Sequence, residues 1–193
     1  MRLAILDSGH SFGAKLLFAL IGVVSRQRVV DADKLVMYRP EFYGAPMKKF
    51  VHQAMRGPSA WTVGDRELMA AFVSKMNECE FCIKAHSAVA RRAYGDGAMV
   101  EAVLSDFETA AMSEPLRATL RMLGKLTREH AVGTGDMRAV LDAGVTPAQI
   151  EDALAVGFAF DTTNRLANAF QFSVPGPEAF EAGAKFLLSR GYR

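Results

Sequence analysis

The residues best suited to chemistry lie in the stretch NECEFCIKAH, residues 77–86, which holds both cysteines of the chain, Cys79 and Cys82, followed by His86. On a helix starting near Asn77, Cys79 and Cys82 stand at i and i+3, and Cys82 and His86 at i and i+4. All three then share one face. The i,i+3 Cα separation in a helix is about 5 Å, within the range a disulfide accepts. Such a pair closes and opens with little backbone movement. The first turn of a helix stabilises a thiolate, which favours Cys79. A nearby imidazole takes a thiol proton, which favours Cys82. These two arguments select different cysteines, and the spacing does not decide between them.

A proton relay also needs a carboxylate to orient the histidine. Glu67, Glu78 and Glu80 are the candidates. Glu78 falls at a helix boundary, and Glu80 points away from the cysteine face. Glu67 belongs to the preceding helix, which must turn back beside this one. A plainer account of Glu67 is a carboxylate serving a helix N-terminus. For the cysteines the plainer account is two buried thiols acting as small apolar side chains. Zinc is the sharper rival, with Cys79, Cys82 and His86 as ligands and Glu67 or His52 as the fourth. Structural zinc sites usually draw a second Cys/His pair from elsewhere, and none is visible here.

The elements that must position these groups are helical. The chain has 193 residues, half of them apolar, and a formal net charge of +2 from 23 basic and 21 acidic residues. That is enough for one domain with a real core. The charge is too even to suggest nucleic acid. Two cysteines three positions apart do not make a disulfide scaffold. The longest apolar run, LLFALIGVV at 16–24, is about half the length of a membrane span and reads as a buried helix, so the expected compartment is the cytoplasm.

Sustained apolar/polar alternation is absent, so helix explains most of the chain. The pattern predicts helices at about 12–26, 32–38 and 45–56. One follows from the Thr62/Asp65 capping box to about 77, then one from Asn77 to Tyr94. Further helices are expected at 97–105, 114–131 and 136–142, one from Thr146-Pro147-Ala148-Gln149 to about Phe172, and a last one at 178–189. The expectation is an all-α chain of roughly nine or ten helices without significant sheet. It is read as a single domain over 1–193, with 1–60 an N-terminal helical extension packed on a core at about 61–193.

Other residues have ordinary explanations. His10, His52 and His130 read as surface or capping residues, the methionines as core filler, and Trp61 as core or a subunit contact. Asn164 and Asn168, at i and i+4, border the site or make a helix–helix hydrogen bond, the latter being the simpler reading.

Glu67, Cys79, Cys82 and His86 together form the pattern Glu-x11-Cys-x2-Cys-x3-His. In its flanks, DRELMAAFVSKMNECEFCIKAHSAVA and YRPEFYGAPMKKFVHQAMRGPSAWT, it resembles the alkylhydroperoxidase D family, in the peroxidase-related branch of the carboxymuconolactone decarboxylase-like superfamily. The close resemblance covers residues 38 to about 90, and TTNRLANAF at 162–170 fits more loosely. The resemblance implies an alkylhydroperoxidase D-like helical fold and a thiol-dependent peroxidase that reduces hydrogen peroxide or organic hydroperoxides. It implies that Cys82 is oxidised by peroxide, that Cys79 resolves the product to a disulfide, and that His86 and Glu67 relay protons. No metal or organic cofactor is implied. The implied partners are a dihydrolipoyl or thioredoxin-like dithiol reductant and further copies of the chain, as trimer or hexamer. The long apolar helix towards the C-terminus is expected to be buried against such a copy. Better-known members carry a histidine immediately before the second cysteine, where this chain has Phe81. Members without the cysteines run decarboxylation chemistry, so a decarboxylase or lactone-type activity, or a redox-sensing role, is the alternative.

Overall fold

A computed structural model describes residues 4–25 and 28–192. Among these residues there are eleven α-helices and no strand: α1 (Ile5–Ser8), α2 (Phe12–Ser25), α3 (Asp31–Tyr38), α4 (Ala45–Arg56), α5 (Val63–Met76), α6 (Glu80–Tyr94), α7 (Gly97–Ser105), α8 (Glu114–Glu129), α9 (Thr134–Asp142), α10 (Pro147–Phe170) and α11 (Pro177–Arg190). A π-helical turn, Pro40–Gly44, joins α3 to α4. The all-α expectation holds, and ten of the helices have eight residues or more. Among the described residues no helix is long and apolar enough to cross a membrane.

Local chemistry sets the helix bounds. Thr62 accepts from the Asp65 N–H at 3.1 Å while Asp65 accepts from the Thr62 N–H at 2.9 Å, a reciprocal box that starts α5. Thr146 and Gln149 start α10 in the same way, with Pro147 in the first turn. Gly95, at φ 70, ends α6 in the left-handed region.

The core divides into two groups. The larger gathers Leu68, Met69, Phe72, Val73, Leu120, Leu123, Val156 and Phe160 from α5, α8 and α10. The smaller holds both cysteines together with Leu6, Phe81, Phe172, Phe180 and Ala184. α5 and α6 pack along their lengths as an antiparallel hairpin, and α11 lies on α6. The N-terminal helices are tied to the rest by the buried Asp31 carboxylate, which accepts the Ser173 N–H at 2.8 Å.

Two expectations change. The Asn77 start does not hold: Asn77 ends α5, its N–H bonding the Val73 carbonyl. Glu78 turns at φ 52, and Cys79 takes the N-cap position of α6. An N-cap must be extended, and the left-handed residue before it reverses the chain, so the helix start moves two residues on. The apolar run at 16–24 does form a helix, whose expected end at 26 lies outside the described residues, but it is not buried. Phe12 is 83% exposed, Leu16 62%, and Val23 and Val24 77% each. α2 belongs to neither core group and packs on one side only, with Phe18 edge-on to His10 at 4.9 Å. Within its own chain α10 packs against α4, α5 and α8.

The Thr62/Asp65 box positions the helix that carries Glu67. Thr62→Ala is expected to lower stability by about 1 kcal/mol, read as a lower denaturant midpoint at unchanged slope.

Candidate functional site

The site is assembled around Glu67. Its side chain is fully buried in the second turn of α5, on a helix whose neighbouring positions are Leu68, Met69, Ala70 and Ala71. A carboxylate without partners in such surroundings is costly. Here it has three. Arg56 Nη2, from the end of α4, donates to Oε1 at 2.7 Å. His86 Nδ1, from α6, donates to Oε2 at 2.8 Å. The Tyr192 hydroxyl, from the turn after α11, lies 2.9 Å from Oε1 and 3.2 Å from Oε2. Burial alone would raise the Glu67 carboxyl, but the His86 hydrogen bond and the charges of His86 and Arg56 outweigh it and hold the group below its ordinary value.

With Nδ1 given to the carboxylate, Nε2 is the imidazole nitrogen available to other groups. His86 and Cys82 lie one turn apart on the same face of α6. The edge of Phe160 from α10, 4.3 Å between centroids, closes the other side of the imidazole.

Both cysteines are free and buried, and the two thiols lie 3.3 Å apart. A hydrogen bond from Cys82 lowers the Cys79 thiol despite its burial. The reciprocal bond, together with burial and the neighbouring Cys79 charge, pushes Cys82 well above the ordinary thiol value. The pair titrates as a unit, its anion favoured on Cys79 at the positive end of α6. A cavity of about 300 Å³ opens beside Cys79, between the start of α6 and the end of α10, with Phe81, Ala167, Asn168 and Phe172 in its wall.

The structure brings together all four residues of the predicted pattern. Glu80 is turned away and pairs with Lys84 at 2.6 Å on the surface. Glu78 lies in the turn and at the rim of the cavity. Phe81 faces an aromatic cluster, edge-on to Phe172 at 5.5 Å and tilted against Phe180 at 5.8 Å. Ser74 donates to the buried Asn164 carbonyl oxygen at 3.1 Å, and Asn168 donates to the Asn77 carbonyl at 2.9 Å. Both asparagines therefore fasten α10 to α5 and its C-terminal turn. Trp61 is core, its indole N–H on the Gln149 carbonyl at 2.8 Å. His10 is buried and not at the surface, and it bonds the Leu6 carbonyl in α1, the capping role of the two expected. His130 caps α8 in the left-handed region as expected. His52 accepts the Tyr192 N–H at 3.2 Å.

Sequence reasoning missed Arg56 and Tyr192. An Arg at the end of a helix reads as a dipole partner, and a Tyr in RGYR as a tail. The available signal was Glu67 itself: a carboxylate among buried apolar neighbours requires a cation.

Residues 40–124 match the carboxymuconolactone decarboxylase family. No curated protein matches the sequence. Among solved structures, the chain is similar to an uncharacterized peroxidase-related protein from Silicibacter sp. TM1040, at 22% identity and TM-score 0.75 over 91% of both chains. It is also similar to an uncharacterized peroxidase-related protein with an alkylhydroperoxidase AhpD core from Ralstonia eutropha JMP134, at 21% identity and TM-score 0.72 over 93% of both chains. At these identities the likeness establishes the shared fold.

Three outcomes follow from the charges of the site. Glu67→Gln leaves Arg56 buried beside a neutral amide and is expected to cost about 3 kcal/mol at neutral pH. A depressed carboxyl contributes stability that is present above its ordinary value of 4.5 and is lost as pH falls through the folded-state value. Thermal melts of the native protein should therefore fall more steeply below that pH than melts of Glu67→Gln. With limiting iodoacetamide, the first label is expected on Cys79 rather than Cys82, as read by peptide mass spectrometry.

Proposed function

We propose a thiol-dependent peroxidase working through Cys82 and Cys79, a reading supported by the match of residues 40–124 to the carboxymuconolactone decarboxylase family. The observation that carries this reading is a pair of free thiols 3.3 Å apart, one helical turn from a histidine held by a buried carboxylate.

In the proposed cycle, the Cys82 proton passes to His86 Nε2, and the Cys82 thiolate attacks the distal oxygen of a hydroperoxide. The O–O bond breaks. Cys82 becomes a sulfenic acid, and the departing alkoxide or hydroxide takes a proton to leave as alcohol or water. The Cys79 thiolate then attacks the Cys82 sulfur, forming the disulfide and releasing hydroxide, which is protonated to water. Two thiols and one peroxide give one disulfide, one alcohol or water, and one further water.

An external dithiol of the dihydrolipoyl or thioredoxin-like kind reopens the bond by exchange. The cavity beside Cys79 supports attack of that reductant on the Cys79 sulfur. Phe81 lies in the aromatic cluster, so proton handling in this chain rests on His86 and Glu67. Assembly into a homo-oligomer is supported by the apolar face that α2 leaves uncovered.

The reading is tested by thiol titration. Two thiols should be lost per equivalent of peroxide and return under dithiothreitol, with steady turnover when the reductant is in excess. Cys79→Ser should stop at a sulfenic acid on Cys82 that dimedone traps, and Cys82→Ser should lose turnover. Undiminished peroxide consumption by Cys82→Ser would falsify the assignment. A protein whose thiols ignore peroxide would instead favour the decarboxylase or lactone-type alternative, and stoichiometric oxidation without turnover a redox sensor.

A further inference from the structure

The turn after α11 reaches the site from the far end of the sequence. Gly191 stands at φ 65, where a Cβ would lie 2.7 Å from His52 Cε1, so this turn suits glycine both in conformation and in space. The Tyr192 N–H is fixed on His52 Nδ1. The Arg56 guanidinium lies over the Tyr192 ring at 5.1 Å and also donates to the Leu187 carbonyl at 3.2 Å, clamping the end of α11. The Tyr192 ring stacks on the His86 imidazole at 6.3 Å between centroids and 23° between planes. These contacts leave the hydroxyl between the two oxygens of Glu67 and His86 Nδ1, the last at 3.3 Å.

That position has a definite protonation logic. Burial and the Glu67 charge push the phenol well above its ordinary value, so it keeps its proton and gives it to the carboxylate. The phenol oxygen then presents lone pairs to His86 Nδ1. Glu67 Oε2 by itself requires the tautomer protonated at Nδ1, and the phenol oxygen is a second acceptor beside the same N–H, so the hydroxyl ties the carboxylate and the imidazole together. Among the described residues, His86 contacts Glu67 from α5, the Tyr192 hydroxyl and the Phe160 ring of α10, with Arg56 from α4 behind Glu67 and Cys82 one turn back on α6.

We propose that Tyr192 is a positioning residue that holds the Glu67–His86 pair in place, keeping Nε2 directed as the base for the dithiol. The proposal rests on the dithiol reading of the site for its purpose, but not for its measurement. The phenol acts through Glu67 and His86 and need not touch substrate.

The test uses full-length Tyr192→Phe, which keeps the ring and its stacking and removes only the hydroxyl. Nitrogen-15 NMR of the histidine side chains reads the tautomer directly, and iodoacetamide labelling against pH reads thiol activation. In the native protein His86 is expected as the Nδ1–H form. In Tyr192→Phe the Nδ1–H form should persist, because Glu67 still accepts from it, while labelling at pH 7 should slow about three- to tenfold, equivalent to a midpoint rise of about half to one unit. Gly191→Ala, which keeps every side chain of the site but displaces the turn that carries Tyr192, should produce the same slowing and serves if Tyr192→Phe does not fold. An unchanged labelling profile against pH in a folded variant overturns the proposal, and loss of the Nδ1–H form would show that the phenol, and not Glu67, sets the tautomer. Neither readout uses peroxide, so a failure of the peroxidase reading and a failure of the Tyr192 role are separately visible.

Discussion

A negative charge placed where water cannot reach it organises this molecule. Glu67 is fully buried, and nothing in its own helix can satisfy it. Its partners come from α4, from α6 and from the turn beyond α11, so the carboxylate fixes the relation of three separate segments. Loss of one partner leaves the others with an uncompensated charge or donor, which is why such clusters act as units. The arrangement also sets the histidine's chemistry. An imidazole that gives Nδ1–H to an ionised carboxylate is oriented and holds its other nitrogen as a base.

The thiols occupy a different environment. They sit in the smaller apolar core group, at a backbone reversal in which Glu78 adopts φ 52 and Cys79 takes the N-cap of α6. An N-cap sulfur feels the positive end of the helix, while the cysteine one turn in is enclosed and donates towards it. The two cysteines are thus chemically unequal before any substrate arrives. Position along one helix turn is enough to make them so. The sulfur that holds its proton less tightly and the sulfur expected from the resemblance to meet peroxide are different atoms.

Much of this was legible in the sequence, for local reasons. The caps Thr62/Asp65 and Thr146/Gln149 marked the starts of α5 and α10, because their donors and acceptors lie within one turn. Glu67, Cys79, Cys82 and His86 were legible because two adjacent helices in a hairpin preserve spacing as geometry. The start of α6 was not. Asn77 is a good N-cap by type, but a left-handed residue follows it, and single positive φ values at a residue such as Glu78 leave little trace in composition. Arg56 and Tyr192 were missed because their contacts with Glu67 depend on how distant segments pack. The apolar run in α2 was read as buried because hydrophobicity reports a tendency and not a neighbour; this chain leaves that face open.

The numbering of the Glu67 cluster has a temporal side. Arg56, Glu67, Cys79, Cys82 and His86 lie within about thirty residues, and Tyr192 follows more than a hundred residues later. A ribosome builds the chain from the N-terminus, so both thiols and the histidine exist well before the phenol does. During that interval the α5–α6 hairpin has its reactive groups without the hydroxyl that completes their hydrogen bonding. Docking of the last turn is therefore the step that distinguishes a folded helical body from a finished site.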